Sequence, residues 1–145
     1  KETIKGVYFL NGAPAADLTD KEKEALSKLD FLVVQDVAMN DISELADVIL
    51  PGASPFEKEG TVTNVNGRVQ LLKMAYPQPG GAQQDFDIIR HVGQCLGVDL
   101  GPTAPAEIMS EIVETIKGYN GLSYSTIGEL GAMTGEPQPS EAAGG

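Results

Sequence analysis

The stretch Ala46–Arg68, ADVILPGASPFEKEGTVTNVNGR, decides the fold because it joins two kinds of predicted structure. It opens with the short apolar run Asp47–Leu50, which Pro51 stops, and this pattern predicts a buried strand. The loop that follows is irregular and contains Gly60 near its end. The simplest interpretation is a connection, although a loop with this backbone freedom can also carry a site.

The end of the same stretch predicts a β-hairpin. Thr61–Asn64 and Arg68–Lys73 are two extended runs, and Asn66-Gly67 lies between them. This dipeptide is typical of a type I′ turn, whose two central residues both need a positive φ.

Two more apolar runs of strand length precede this stretch. Gly6–Leu10 has the pattern of a central parallel strand, and Phe31–Gln35 is a second continuous strand. Between them, Thr19 and Glu22 form the pattern of a capping box, so we expect a helix to begin near Asp20.

A second, shorter helix is predicted before the third strand. Asn40 can cap it, and the helix would run over Asp41–Ala46. The order strand, helix, strand, helix, strand is typical of a right-handed parallel α/β unit, so the fold class is α/β with a partial Rossmann-like sheet.

Downstream of the hairpin the pattern becomes helical. Tyr76–Ala82 is rich in Pro and Gly and reads as a surface linker. Helices are predicted over Asp85–Leu96, Pro105–Lys117 and Tyr124–Leu130. The expected segments are a parallel α/β portion at 1–58, a hairpin at 59–76, a helical segment at 77–130 and a disordered tail at 131–145.

Charge and composition exclude several function classes. The 145 residues carry 10 basic and 21 acidic side chains, a formal charge of −11, which argues against nucleic acid and anionic membrane surfaces as partners. A single cysteine excludes an internal disulfide and a cysteine-rich metal site. No apolar run reaches the ~20 residues that span a bilayer, so we expect no membrane insertion. The sequence begins at Lys1 without Met, and we expect a processed, cloned or partial chain.

The residues alone do not identify a reaction. Ligands of α/β folds bind at the carboxyl ends of strands, so Asp36 is a better candidate than Asp47. His91 has no obvious partner, and Cys95 is most simply a small core residue. The sequence predicts neither a catalytic residue nor a metal ligand in this chain.

Several motifs in one order carry a family resemblance. They are VVQD at 33–36, ADVILP at 46–51, EKEGT at 57–61, the N.NGR of the hairpin and DFDII at 85–89. Together they resemble the molybdopterin oxidoreductase family, which includes formate dehydrogenases, and its relative, the large iron–sulfur subunit of NADH:quinone oxidoreductase. In the full-length family, iron–sulfur cysteines precede this region.

Two departures from the family pattern favour the NADH:quinone oxidoreductase relative. Ala13 stands where cofactor-binding members have Asn or Asp, and Ile42 replaces a hydroxyl residue. This resemblance implies a structural module in electron transfer from NADH to quinone that binds no cofactor itself. Its partners would be other subunits of the respiratory NADH dehydrogenase complex, and it would be cytoplasmic, peripheral to the inner membrane.

The alternative interpretation is part of a molybdenum or tungsten enzyme such as formate dehydrogenase. The resemblance then implies that this chain holds the guanine end of molybdopterin guanine dinucleotide. The residues implied are Gln35, Asp36, Gly60, Thr61 and Asn64, with the metal ligated outside this chain.

Overall fold

The computed structural model describes residues 4–10 and 18–135, and these divide into two compact units. Unit 1 comprises the described residues within Lys1–Ser54 and Gln78–Val92, and unit 2 comprises those within Pro55–Pro77 and Gly93–Gly145. Ala13 lies outside the described residues. In the part that is described, no helix is both long and apolar enough to cross a membrane.

Unit 1 is built on a three-stranded parallel sheet. The strands are β1 (Gly6–Leu10), β2 (Phe31–Asp36) and β3 (Val48–Pro51), paired in the order β1-β2-β3. This confirms the predicted α/β class. The prediction that Gly6–Leu10 is central is wrong, because β2 takes that place. A continuous apolar run is typical of a strand covered on both faces, but Tyr8 and Leu10 of β1 are exposed in this structure.

Two short helical segments accompany this sheet. The helix α1 (Asp20–Leu26) begins at Thr19 with the predicted capping box, in which Glu22 Oε2 accepts the Thr19 N–H at 2.8 Å. The helix predicted over Asp41–Ala46 is a single 3₁₀ turn at Ser43–Leu45. The buried side chains Leu32, Val34 and Ile42 form a hydrophobic cluster in unit 1, and Ala53 and Ile88 of the same unit are also buried.

Unit 2 contains an antiparallel sheet formed by β4 (Gly60–Thr63), β5 (Arg68–Leu72) and β6 (Ala132–Met133). The hairpin is confirmed, but its turn differs from the predicted type. The Gly67 N–H donates to the Asn64 carbonyl at 2.9 Å, and Gly67 has a φ of 73°. The loop is therefore one residue longer than a type I′ turn, with the glycine closing it in the left-handed region.

The strand β6 lies where the sequence predicts a disordered tail from Gly131. Ala132 pairs with Val69, and Gly135 N–H donates to the Gly118 carbonyl at 2.8 Å. The tail prediction therefore fails for residues 131–135, since a two-residue edge strand has too little sequence pattern to be recognised. Residues 136–145 of the predicted tail lie outside the described part.

Three helices complete the chain: α2 (Asp85–Cys95), α3 (Pro105–Thr115) and α4 (Tyr124–Ile127). The predicted C-terminal ends, Leu96, Lys117 and Leu130, lie one, two and three residues beyond the observed ends. Cys95 is exposed, contrary to the prediction of a core residue, because the helix ends there. In unit 2 the core consists of Val69, Met109 and Ile127.

Candidate functional site

The carboxyl ends of the three parallel strands lie at one edge of the unit 1 sheet. The last residue of β2, Asp36, pairs with Pro51 of β3, and the preceding Gln35 pairs with Leu10 of β1. Asp36 therefore stands at the middle of the edge where α/β folds place ligands. Its side chain is half-buried.

The Asp36 carboxylate is held by two donors from the segment that follows it. The Val37 N–H donates to Oδ1 at 2.7 Å, and Asn40 Nδ2 donates to Oδ2 at 3.0 Å. An ionised carboxylate offers about four acceptor sites, so these two bonds leave about one on each oxygen. The group is oriented and still able to accept a pair of hydrogen bonds.

Gln35 is placed differently, because neighbouring residues of a strand point to opposite faces. Its side chain is fully buried and both ends of its amide are engaged. The Tyr8 hydroxyl donates to Oε1, and Nε2 donates to Asp85 Oδ1 at 2.7 Å. Burial raises the pKa of Tyr8, and the nearby charge of Asp85 raises it further. Gln35 thus contacts protein groups at both ends in this structure.

The segment before α2 is fixed to the end of β3. The Gln83 N–H donates to the Pro51 carbonyl at 3.1 Å, and the Ala53 N–H donates to the Gln83 carbonyl at 2.8 Å. Between these bonds a Cβ on Gly52 would lie 3.2 Å from Asp85 Oδ1. Glycine therefore lets the start of α2 approach the strand end closely.

Asp47 lies at the opposite, amino end of β3 and has a structural role. Its Oδ2 accepts the Leu32 N–H at 2.7 Å, while its own N–H donates to the Leu32 carbonyl at 2.9 Å. These bonds fix the start of the β2–β3 pairing. Asp36 and Asp47 therefore lie at opposite edges of the sheet, and the ligand role of Asp36 stays a prediction.

The other three predicted site residues belong to unit 2. Gly60 opens β4 with a φ of 155°, and Thr61 Oγ1 donates to Met109 Sδ at 3.7 Å. Asn64 Oδ1 accepts the N–H groups of Asn66 and Arg68, each at 2.9 Å. Thr61 therefore contacts the residue Met109 of α3, and Asn64 holds the hairpin turn. The role of Gly60, Thr61 and Asn64 toward a ligand stays a prediction.

His91 contacts a neutral side chain in this structure. His91 Nδ1 lies 3.2 Å from Gln83 Oε1, and its ring is exposed. Within residues 4–10 and 18–135, no three His, Cys, Asp or Glu side chains converge in a way that could hold a metal ion.

Two relationships at this edge were missed from the sequence. Asn40 was expected only to cap a helix, yet its amide also holds Asp36. The sequence predicts only that Asp85 begins a helix, and its bond to Gln35 spans 50 residues. The four-residue spacing of Asp36 and Asn40 across a turn could have indicated the first contact, whereas no local signal indicates the second.

Comparisons with known proteins agree with the motifs. A family model described as molybdopterin oxidoreductase matches residues 1–94. The chain is 37% identical over 132 residues to the F420-dependent formate dehydrogenase 2 subunit alpha of Methanococcus maripaludis, an alignment covering 88% of this chain and 19% of that protein. It is 36% identical over 138 residues to the assimilatory nitrate reductase catalytic subunit of Bacillus subtilis, an alignment covering 90% of this chain and 19% of that protein.

A solved structure shares the fold. The acetylene hydratase of Pelobacter acetylenicus superposes with a TM-score of 0.62 at 18% identity, over 80% of this chain and 16% of that one. The chain spans about a fifth of the length of the first two relatives. The match over residues 1–94 covers more than half of the sequence, and the chain belongs to the molybdopterin oxidoreductase family.

Proposed function

We propose that this chain contributes the guanine-binding part of a molybdopterin guanine dinucleotide site in an oxidoreductase of the formate dehydrogenase kind. The molybdenum or tungsten of the bound cofactor would supply the redox chemistry and would be ligated outside this chain. The role of the chain itself would be to bind and orient the nucleotide end.

The observation that carries the proposal is the state of the Asp36 carboxylate. Both oxygens are oriented by one bond each, from Val37 and from Asn40, and both retain acceptor capacity. A guanine base presents two adjacent donors, the N1–H and the N2 amino group, and two parallel donors fit a carboxylate. The residue at the middle of the strand-end edge therefore fits this base.

The relatives support this interpretation over the NADH:quinone oxidoreductase one. Those at 36–37% identity carry the names formate dehydrogenase and nitrate reductase. The aligned part is about a fifth of each, so activity and substrate of a complete protein are inferred by similarity. Other subunits of an oxidoreductase complex, a cytoplasmic location and iron–sulfur clusters outside this chain belong to the same proposal.

One observation favours the second candidate, a scaffold like the large iron–sulfur subunit of NADH:quinone oxidoreductase that binds no nucleotide. Ile42, which replaces a hydroxyl residue of the family pattern, is 3% exposed and packs with Leu32 and Val34. Its side chain supplies no hydrogen-bond donor to a ligand. In this second case the strand-end edge would serve assembly alone.

The two candidates are separated by the nucleotide content of the complete oxidoreductase that carries this chain. Asp36→Ala is expected to lower the guanosine monophosphate released by acid hydrolysis at least tenfold, measured by mass spectrometry per mole of protein. Asp47→Ala is the matched control, because it removes the same group from the other end of the sheet. It should reduce stability and leave the nucleotide content of the folded protein unchanged.

The scaffold candidate predicts another pattern. Wild-type protein would then release no guanosine monophosphate, and Asp36→Ala would leave electron transfer unaltered. That pattern would overturn the proposed function.

A further inference from the structure

The side chain of Asn40 makes contacts in two directions. Its Oδ1 accepts the N–H groups of Ile42 and Ser43, both at 3.0 Å, and so caps the 3₁₀ turn. Its Nδ2 donates to Asp36 Oδ2 at 3.0 Å and lies 3.4 Å from the Ala38 carbonyl. One planar amide therefore joins the start of the turn to the carboxylate at the strand end.

The backbone of Asn40 is also held in place, by the hydroxyl of Ser43. The Asn40 N–H donates to Ser43 Oγ at 2.6 Å, and Ser43 Oγ–H donates to the Asn40 carbonyl at 2.7 Å. Ser43 is 2% exposed. Because the backbone and the Oδ1 end are both held, the direction in which Nδ2 points is determined before any ligand arrives.

We propose that Asn40 is a positioning residue that aims the Asp36 carboxylate at the guanine edge. This inference rests on the proposed function. The Val37 N–H holds Oδ1, and Asn40 holds Oδ2, so together they fix the plane of the carboxylate. A carboxylate held in this way accepts two parallel donors without first losing rotational freedom.

A purely structural role for Asn40 gives a different expectation. As a cap alone, it could be replaced by any good capping residue without an effect on nucleotide choice. Ser and Asp cap helix starts about as well as Asn. Neither can supply an amide donor at the position of Nδ2, and an ionised Asp supplies no donor at all.

The test uses the cofactor-free form of the complete oxidoreductase and two probes, guanosine monophosphate and adenosine monophosphate, titrated by calorimetry. Asn40→Ser retains a capping oxygen and removes the donor to Asp36. We expect about a tenfold weaker affinity for the guanine nucleotide, since one oriented hydrogen bond is lost. The affinity for the adenine nucleotide should change less than twofold, because adenine lacks the two donors that pair with the carboxylate.

Asn40→Asp is the second variant, and it still tests the role of Asn40 if the serine variant folds poorly. It preserves the cap and brings a second carboxylate beside Asp36, so guanine affinity should fall further than in Asn40→Ser. The swap Asp36→Asn with Asn40→Asp restores a hydrogen bond between the two positions but presents an amide to the base. It should regain the thermal stability of the wild type without regaining guanine preference.

The outcomes distinguish a failure of the positioning role of Asn40 from a failure of the proposed guanine-binding function. If Asp36→Ala abolishes guanine binding and both Asn40 variants retain it, Asn40 is only a cap and the inference is overturned. An equal fall for both nucleotides would also overturn it, as a general structural effect. If Asp36→Ala itself binds guanosine monophosphate like the wild type, the proposed function fails.

Discussion

The Gln35 amide donates a 2.7 Å hydrogen bond to the carboxylate of Asp85, 50 residues away in the chain. Gln35 is fully buried on the central strand β2, and Asp85 is the first residue of α2. The bond ties the start of this helix to the end of the sheet at a site with little access to water. Hydrogen bonds to a charged acceptor are stronger than neutral ones, so we expect this link to stabilise unit 1.

Replacing Asp85 by Ala should therefore destabilise the protein by about 1.5–3 kcal/mol, because the buried Gln35 amide would lose its acceptor. Urea unfolding followed by circular dichroism measures the loss. Asp87→Ala on the same helical turn is the control, since Asp87 only pairs with Arg90 at 3.7 Å. Equal losses in both variants would show that the Gln35–Asp85 bond has no special weight.

Gly131 should tolerate no side chain. It has a φ of 75°, and a Cβ there would lie 2.6 Å from the Val69 carbonyl oxygen of β5. Gly121 has a similar φ of 81°, yet a Cβ there would meet nothing within 4 Å. Gly121→Ala measures the backbone strain alone, about 1 kcal/mol, and Gly131→Ala should cost clearly more.

The measurement is the change in melting temperature of the two alanine variants. The steric explanation predicts a larger fall for Gly131→Ala, together with faster hydrogen exchange in β6, which follows it. If the two variants melt at the same temperature, the close approach to Val69 is not a constraint.

The ionisation of Tyr8 should lower the free energy of unfolding at alkaline pH. Burial, assisted by the charge of Asp85, raises its pKa above 10.0, so the folded state keeps the phenolic proton more tightly than the unfolded chain does. This contribution is complete below about pH 10 and is lost as the pH rises through the higher folded value. The free energy of unfolding should therefore fall more steeply above pH 10 in the wild type than in Tyr8→Phe.

Unfolding curves between pH 9 and 11 test this difference in slope. The phenylalanine variant should also be less stable at pH 9, because Gln35 Oε1 loses the hydroxyl that donates to it. Parallel pH dependence in the two proteins would contradict the raised pKa.

Much of unit 1 could be predicted from the sequence because its signals are local. The apolar runs gave all three parallel strands to within a residue, and Thr19 with Glu22 gave the start of α1. Asp36 was placed correctly at a strand end, since Asp follows the VVQ run directly. These features depend on side chains within a few positions of each other.

The remaining features depend on contacts between distant segments. Ala132–Met133 forms a strand only because β5 offers it an edge, and no periodicity marks so short a segment. The predicted contact of Gln35 with a ligand did not anticipate Tyr8 and Asp85, which occupy both ends of its amide.

The binding of guanine by Asp36 is tested by an experimental structure of the complete oxidoreductase with its cofactor bound. The distance to measure joins the Asp36 carboxylate oxygens to the nearest nitrogen atoms of the nucleotide base. If Asp36 binds guanine, two such distances are about 3 Å and the bonds from Val37 and Asn40 are retained. A base bound elsewhere, with Asp36 accepting only those two protein donors, would contradict it.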